Sequence, residues 1–349
     1  MTVPEALRYQ DGVLVVLDQR ALPAERRELR CTSAAEVASA IRDMAVRGAP
    51  LIGVAAAYGV ALAARAAAAG GVDAVRRAAE EACGRLEAAR PTAINLSSAV
   101  HRMRRVVMES ASVRVAAELV GALETAATEL ERFESAASRA MGRHAVELLP
   151  DSARVLVHCN TGALATTGRG TALAAVYEAH ERGRLDMVYV GETRPRLQGS
   201  RLTAWELAEA GIPHLVVIDS LAATLMVHGA VDAVLVGADR IAVNGDVANK
   251  VGTYALAVSC VHHRVPLYVV APTTTIDVHC ETGADIPIEE RSTDEVLQVG
   301  DARVAPSRTR AINPAFDITP ASLVTALVTE RGVAAPLTAA TLEAVLRRE

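Results

Sequence analysis

Two well-separated residues carry most of the chemistry that this sequence can perform. Cys159 sits between His158 and Asn160, just before Thr161-Gly162. A free cysteine is usually a small buried hydrophobe, and thiolate chemistry requires local positive potential. Its position at the end of an apolar run, with a glycine turn and the Gly168–Gly170 loop behind it, suits a reactive group. The helix that follows could aim its positive end at a bound anion. Asp239 follows the apolar run Ala233–Val236 and Gly237-Ala238, and it precedes Arg240. It could pair with that neighbour or cap a helix. Alternatively, desolvation at the end of a buried strand would favour its protonated form and suit it to proton donation near neutral pH.

A second set of residues suits phosphate. Asn249-Lys250 precedes a helical stretch, where an ammonium and helix-start amides can act together. Arg47-Gly48-Ala49-Pro50 combines a guanidinium fork, a glycine that permits close approach and a proline fit for a first helical turn. Arg90-Pro91-Thr92, Arg194, Arg196 and Gln198 are polar residues at loops. Each of these also has a plain structural reading as a loop-to-helix entry or a surface residue.

Other chemistries find no support. The glycines near Cys159 match neither a P-loop nor a dinucleotide GxGxxG, and no serine-hydrolase elbow occurs. His262-His263 and His279-Cys280 lack partners at metal spacing, so no metal is expected. Glu289-Glu290-Arg291 reads as a surface or subunit-contact segment.

The elements that must position these groups follow two rhythms. After a short β-like opening at Gly12–Leu17, apolar periodicity predicts helices over Ala34–Met44, Leu51–Ala69, Val72–Ala89, Leu96–Met108 and Val113–Leu149. Pro150-Asp151-Ser152 ends this part and marks a boundary between a mainly helical 1–150 domain and a 151–349 domain. Beyond it, strands at Arg154–His158, Met187–Val190, Leu215–Ile218, Ala233–Val236 and Pro266–Val270 alternate with helices around Thr171–Arg182, Leu202–Ala210, Leu221–Val227 and Thr253–His262. That alternation predicts an α/β fold with a parallel sheet covered on both faces. Ligands bind such sheets at the carboxyl ends of the strands. There the first four strands present Cys159-Asn160-Thr161-Gly162, Glu192-Thr193-Arg194-Pro195, Asp219-Ser220 and Gly237-Ala238-Asp239-Arg240. Core packing alone does not explain four such ends.

Bulk properties are consistent with this. A chain of 349 residues, 51% apolar and 22% charged, is globular and long enough for two domains. A net charge of −5 argues against general nucleic-acid binding. The alanine-rich Leu51–Ala69 stretch contains Gly53, Tyr58, Gly59 and Arg65 and reads as a packed helix rather than a membrane span. Five scattered cysteines without a CxxC pair, and no basic-then-apolar leader, lead us to expect a cytoplasmic protein.

Longer strings add a resemblance. Met44-Ala45-Val46-Arg47-Gly48-Ala49-Pro50, Arg90-Pro91-Thr92-Ala93-Ile94-Asn95-Leu96 and His158-Cys159-Asn160-Thr161-Gly162-Ala163-Leu164-Ala165-Thr166 resemble the methylthioribose-1-phosphate isomerase family. So do Gln198-Gly199-Ser200-Arg201-Leu202-Thr203-Ala204-Trp205-Glu206-Leu207, Gly237-Ala238-Asp239-Arg240-Ile241 and Asn249-Lys250-Val251-Gly252-Thr253-Tyr254. The match runs in order from residue 12 to about residue 333. It implies a Rossmann-like carboxy-terminal domain, a homodimer, and conversion of 5-methylthioribose 1-phosphate to its ketose in methionine salvage, a reaction whose acid–base chemistry requires no cofactor. It also implies that Cys159 and Asp239 are catalytic, and that Arg47, Gly48, Ala49, Arg90, Gln198, Asn249 and Lys250 bind substrate. Regulatory subunits of initiation factor 2B and ribose-1,5-bisphosphate isomerases share the architecture; the cysteine–aspartate combination favours the enzyme over the regulatory subunit. Leu51, Arg169 and Ala174 depart from the family pattern, and Arg169 keeps 5-deoxyribose 1-phosphate open as a substrate.

Overall fold

The computed structural model describes residues 2–90, 93–300 and 302–348, which form two compact units. Pro91 and Thr92 of the Arg90-Pro91-Thr92 motif lie outside the described residues.

One unit holds Val3–Ser138 and Ala163–Gly170. It opens with three antiparallel strands, β1 (Leu7–Gln10), β2 (Val13–Leu17) and β3 (Glu28–Cys31), with β2 in the middle. Only β2 was expected, because it is the one apolar run; its short polar neighbours are strands because they pair with it. Helices α1 (Ala34–Arg42), α2 (Ala49–Ala66), α3 (Val72–Glu87), α4 (Ile94–Glu109) and α5 (Ala116–Val146) follow, close to the periodic segments. A capping box starts α1: Ser33 Oγ accepts from the Glu36 amide, and the Glu36 carboxylate accepts from the Ser33 amide. Helix α2 is apolar on every face and packs against α1, α3 and α4. It is long and apolar enough to cross a bilayer, yet 83% of it is buried within the protein, as in a core helix.

The other unit holds Arg139–Gly162 and the described residues from Thr171 onward. Strands and helices alternate: β4 (Ala153–Val157), α6 (Ala172–Glu181), β5 (Leu185–Gly191), α7 (Ala204–Glu209), β6 (His214–Val217), α8 (Ala222–Val227) and β7 (Ala233–Val236). The hairpin β8 (Arg240–Ile241) and β9 (Val247–Lys250) precedes α9 (Thr253–His263) and β10 (Leu267–Val270). Then come α10 (Asp294–Leu297), β11 (Gln298–Val299), β12 (Ala302–Arg303), β13 (Phe316–Thr319), β14 (Ala326–Thr329), β15 (Gly332–Ala334) and α11 (Ala339–Leu346). The main sheet runs β15-β14-β10-β7-β4-β5-β6, parallel throughout except for the β14–β15 pair. The expected α/β class and all five expected strands are present. Strands β14 and β15 were not foreseen; they are short, and the pairing of β14 with β10 defines them. Strands β13, β9 and β8 form a separate antiparallel sheet.

Strand order reverses at β4, with β5 and β6 on one side and β7 and β10 on the other. Loops leaving β4 and β7 diverge at this switch point, which is where ligands bind open α/β sheets. The register sets Val157 opposite Leu235. Cys159 lies just past the first and Asp239 a little further past the second. Neighbouring strands run about 4.8 Å apart, so the topology delivers both residues to one edge.

Candidate active site

Cys159 adopts the left-handed backbone conformation, with φ 65°. A non-glycine residue pays about 1–3 kcal/mol for a sparsely populated backbone state, and its surroundings must enforce it. The enforcement here is visible. The Cys159 amide donates to Thr193 Oγ1 at 2.9 Å, and its carbonyl accepts from Thr203 Oγ1 at 2.8 Å. Thr193 is itself left-handed, with φ 63°, and fully buried, a rare state for a β-branched residue. Its amide donates to Asp219 Oδ1 at 2.8 Å, and the amide of Arg194 donates to Oδ2 at 2.7 Å. Beside the cysteine, Asn160 Nδ2 donates to Glu206 Oε1 at 2.6 Å and to Thr203 Oγ1 at 3.2 Å. Threonines 193 and 203, Asp219 and Glu206 were not assigned these roles from sequence. Thr193 and Asp219 stood at strand ends, but a supporting role depends on a turn that only the fold shows.

His158 Nε2 lies 2.9 Å from the Val251 carbonyl, so that nitrogen carries the hydrogen. Burial pushes the His158 pKa below the ordinary imidazole value, with the Val251 carbonyl opposing. The charged form of this imidazole is therefore disfavoured. In its neutral form the ring contributes no positive charge toward a thiolate.

Asp239 bridges β7 and β8, and its amide donates to the Ala248 carbonyl at 2.9 Å. Its neighbour Arg240 forms an ion pair with Asp277 at 3.3 Å. Register in the β8–β9 hairpin pairs Arg240 with Ala248, which sets Asn249 and Lys250 next along the strand. Asn249 Nδ2 donates to Thr253 Oγ1 at 2.9 Å. Lys250 Nζ donates to the Ala315 carbonyl at 2.9 Å and lies 5.1 Å from the centre of the Phe316 ring.

Two helix starts differ from expectation. The amides of Gly252 and Tyr254 at the start of α9 donate to Asp317 at 2.7 and 3.2 Å. They are committed to a carboxylate, so phosphate would meet the Lys250 ammonium without them. At the start of α6, the Thr171 and Leu173 amides donate to the Thr161 carbonyl at 2.8 and 3.4 Å. That helix offers little to an anion.

Gln198 comes from the loop after β5, which folds back on its own strand. A Cβ on Gly199 would lie 1.7 Å from the Gly191 carbonyl oxygen, so only glycine allows the return. The Gln198 side chain is buried, and its Oε1 has no hydrogen-bond partner among the described residues. Thr161 Oγ1 is in the same condition, and the Thr161 methyl packs beside Gly237, between the two strand ends. Leaving such an atom unpaired costs about 1–3 kcal/mol. A substrate hydroxyl would offset that cost at Gln198.

The same loop is pinned by an ion network that joins Arg196, read as a possible surface residue, to Arg291, read as part of a surface or subunit-contact segment. Glu295 Oε1 accepts from Arg196 at 2.6 Å and from Arg291 at 2.7 Å, Arg291 also pairs with Glu289 at 2.8 Å, and Asn313 Nδ2 reaches Glu295 at 3.1 Å. Burial opposes ionisation of Glu295, but Arg291 and then Arg196 outweigh it and hold its pKa at about 2, against an ordinary 4.5. A carboxylate depressed in the folded state stabilises fully above its unfolded pKa, and that stability is lost as pH falls through the folded value. Glu295→Gln should therefore flatten the loss of stability between about pH 4.5 and pH 2, read by denaturant unfolding across a pH series. An unchanged acid slope would contradict the network's role.

Arg47, Gly48, Ala49 and Arg90 belong to the helical unit, where the structure brings them together. Arg47 is buried, and Arg90 Nη1 lies 3.7 Å from Met44 Sδ, in the segment that leads into α2. Gly48 has φ 98°, and a Cβ there would meet the Ala165 backbone at 2.5 Å, which excludes other residues. Gly48 caps α2 without a side chain over the first amides, and Pro50 follows in the first turn. An uncapped helix start beside two arginines suits phosphate. The segment Ala163–Gly170, downstream of Cys159, groups with this unit: Gln19 Nε2 donates to the Leu164 carbonyl at 2.7 Å, and the Arg169 amide donates to Ser138 Oγ at 2.8 Å.

A cavity of about 380 Å³ in the parallel-sheet unit is walled partly by His158, Asp219, Gly252 and Ser259. Neither Cys159 nor Asp239 lines it.

Comparison with known proteins gives a consistent result. The model of the initiation factor 2 subunit family matches residues 45–336. Over 338 residues the chain is 53% identical to a methylthioribose-1-phosphate isomerase of Anaeromyxobacter sp. (strain K), covering 95% of each chain. Its fold is similar to the crystal structure of 5-methylthioribose 1-phosphate isomerase from Pyrococcus horikoshii OT3, with TM-score 0.93, 40% identity and coverage of 99% and 96%. It is also similar to a translation initiation factor eIF-2B delta subunit from A. fulgidus, with TM-score 0.87, 40% identity and coverage of 98% and 99%.

Proposed function

Since this chain belongs to the initiation factor 2 subunit family, we propose that it converts 5-methylthioribose 1-phosphate to 5-methylthioribulose 1-phosphate, an aldose–ketose isomerisation of methionine salvage. One observation carries the reading: Cys159 and Asp239 leave the adjacent parallel strands β4 and β7 at the switch point of the sheet. The near full-length identity to enzymes of that name supports it.

The chemistry explains why such a pair is useful. A free aldose opens its ring when a base removes the anomeric hydroxyl proton. A sugar 1-phosphate has no such proton. The ring oxygen must instead be protonated while its bond to C1 breaks, and Asp239 in its acid form donates that proton. The cation that develops at C1 is quenched in one of two ways. Cys159 takes the C2 proton, giving an enol that is reprotonated at C1, or a hydride moves from C2 to C1 while the C2 hydroxyl loses its proton. In the second route Cys159 stabilises the cation. Water would trap that cation and must be kept out. Lys250, Asn249 and Gln198 are assigned to substrate binding in this reading, as are Arg47, Gly48, Ala49 and Arg90.

The protein acts as a homodimer in this reading. Leu215 and Ile218 at the edge strand β6, Val227 on α8, and Tyr254, Val258 and Val261 on α9 are all exposed. The α9 residues share one stripe, and α8 packs on α9. Exposed apolar side chains and an edge that no further described strand pairs with call for a cover. Val258→Asp should convert the wild-type dimer to a monomer in analytical ultracentrifugation; a wild-type monomer would contradict the assignment. No disulfide joins any of the described cysteines, which suits the reducing cytoplasm that this reading assigns.

The substrate is tested by incubating the enzyme with 5-methylthioribose 1-phosphate, 5-deoxyribose 1-phosphate and ribose 1,5-bisphosphate in parallel and following ketose formation by NMR. Preference for the methylthio sugar supports the proposal. Conversion of another sugar alone would keep the isomerase and change its substrate, and turnover of none would remove the enzymatic reading.

A further inference from the structure

The catalytic reading assigns a task to Cys159 but leaves its support unassigned, and the support is built as a relay. Asp219 stands at the end of β6, on the far side of β5 from Cys159. Its two carboxylate oxygens accept separately from consecutive amides, those of Thr193 and Arg194. That grip clamps the turn after β5 and keeps Thr193 left-handed. Thr193 then uses its one hydroxyl twice: it donates to the Gly191 carbonyl at 2.9 Å and accepts from the Cys159 amide at 2.9 Å. The hydroxyl hydrogen is thereby committed to Gly191, so the lone pair aimed at the Cys159 amide has a fixed direction.

We infer that Thr193, clamped by Asp219, is a positioning residue that sets the Cys159 thiol for reaction. The inference rests on Cys159 being catalytic. Several observations point to positioning rather than to simple packing. Thr193 occupies a backbone state that β-branched residues avoid. A valine would fill the same buried space, so packing does not require the hydroxyl. Cys159 shares the left-handed state, and its amide is the group through which a neighbour can hold that state. Thr203, fully buried, holds the opposite side through the Cys159 carbonyl. Two threonines, one at each end of the connection between β5 and α7, thus fix both the amide and the carbonyl of one residue. A thiol merely buried in a core has no need of this.

The relay also separates positioning from substrate binding. Thr193 Oγ1 already donates to the Gly191 carbonyl and accepts from the Cys159 amide, so its loss should act on the chemical step. Misplacing a reacting group by about 1 Å can cost about a hundredfold in rate, and an interaction that acts only in the transition state lowers kcat while leaving KM nearly unchanged.

The test uses the full-length enzyme with Thr193→Val, Thr193→Ser and Asp219→Asn, beside Cys159→Ser as a reference. Two readouts are taken: steady-state kinetics with 5-methylthioribose 1-phosphate, and the rate of Cys159 alkylation by iodoacetamide against pH. Thr193→Val should lower kcat by about ten- to a hundredfold with KM changed less than about threefold, and it should alter the pH profile of alkylation. Thr193→Ser, which keeps the hydroxyl, should recover most of both. Asp219→Asn, which keeps one acceptor oxygen, should fall between them. Thermal unfolding of each variant identifies a misfolded protein; if Thr193→Val does not fold, the comparison of Thr193→Ser with Asp219→Asn decides the matter. Wild-type kcat and alkylation in Thr193→Val, with Cys159→Ser inactive, would overturn the positioning role alone. An equal loss in the valine and serine variants would overturn it too, since the hydroxyl would then be irrelevant. Near wild-type turnover in Cys159→Ser would instead overturn the catalytic reading on which the inference stands.

Discussion

Cys159→Ser is expected to lower kcat for 5-methylthioribose 1-phosphate by at least about a hundredfold, the usual scale for loss of an acid–base group. The substitution is close to isosteric. The bonds that hold this residue run through its backbone, to Thr193 and Thr203, and serine keeps them. Folding and substrate affinity should therefore change little, and the loss should appear in kcat. The chemical reason is that a serine hydroxyl holds its proton far more tightly than a thiol and is much less polarisable. It neither accepts the C2 proton nor stabilises a neighbouring cation well. Circular dichroism and thermal unfolding beside the kinetics separate a chemical loss from a structural one. A serine variant that retains near wild-type kcat would remove Cys159 from the mechanism.

The second large effect belongs to Asp239→Asn, again at least about a hundredfold in kcat. Asparagine preserves the shape, and the backbone bond from residue 239 to Ala248 does not involve the side chain. What disappears is the ability to deliver a proton to the ring oxygen. The pH profile gives the more telling readout. If the acid form of Asp239 is the reactive one, wild-type activity falls as pH rises through its pKa, and the variant should lack that limb. A variant with lowered activity and an intact limb would mean that another group is the acid.

Much of the frame was legible before any coordinates. Five strand segments and the helices between them follow from apolar runs broken by turn residues, and the structure places them within a few residues. The edge carrying Cys159 and Asp239 was legible for the same reason: strand ends in a parallel sheet share one side, and both residues sit just past apolar strands. Supporting interactions were not. The Thr193–Cys159 bond depends on two left-handed turns in different loops, and no local pattern marks either one, since neither residue is glycine. Lys250 was expected to work with helix amides, but Asp317 takes those amides from a distant strand. Glu289-Glu290-Arg291 was read as a surface or subunit-contact segment, whereas Arg291 joins Glu289 and Glu295 in a network that Arg196 reaches from the loop after β5. Each difference involves a contact made across a long sequence separation, Thr193 with Cys159, Asp317 with the start of α9, and Arg196 with Glu295, which periodicity does not encode.

The most direct test of the central claim is one parallel NMR time course. Wild type, Cys159→Ser and Asp239→Asn are each incubated with 5-methylthioribose 1-phosphate, and the ketose 1-phosphate is followed by its proton and phosphorus signals. The account predicts rapid ketose formation by the wild type and loss of nearly all of it in both folded variants. Ketose appearing at a comparable rate in either variant would contradict it.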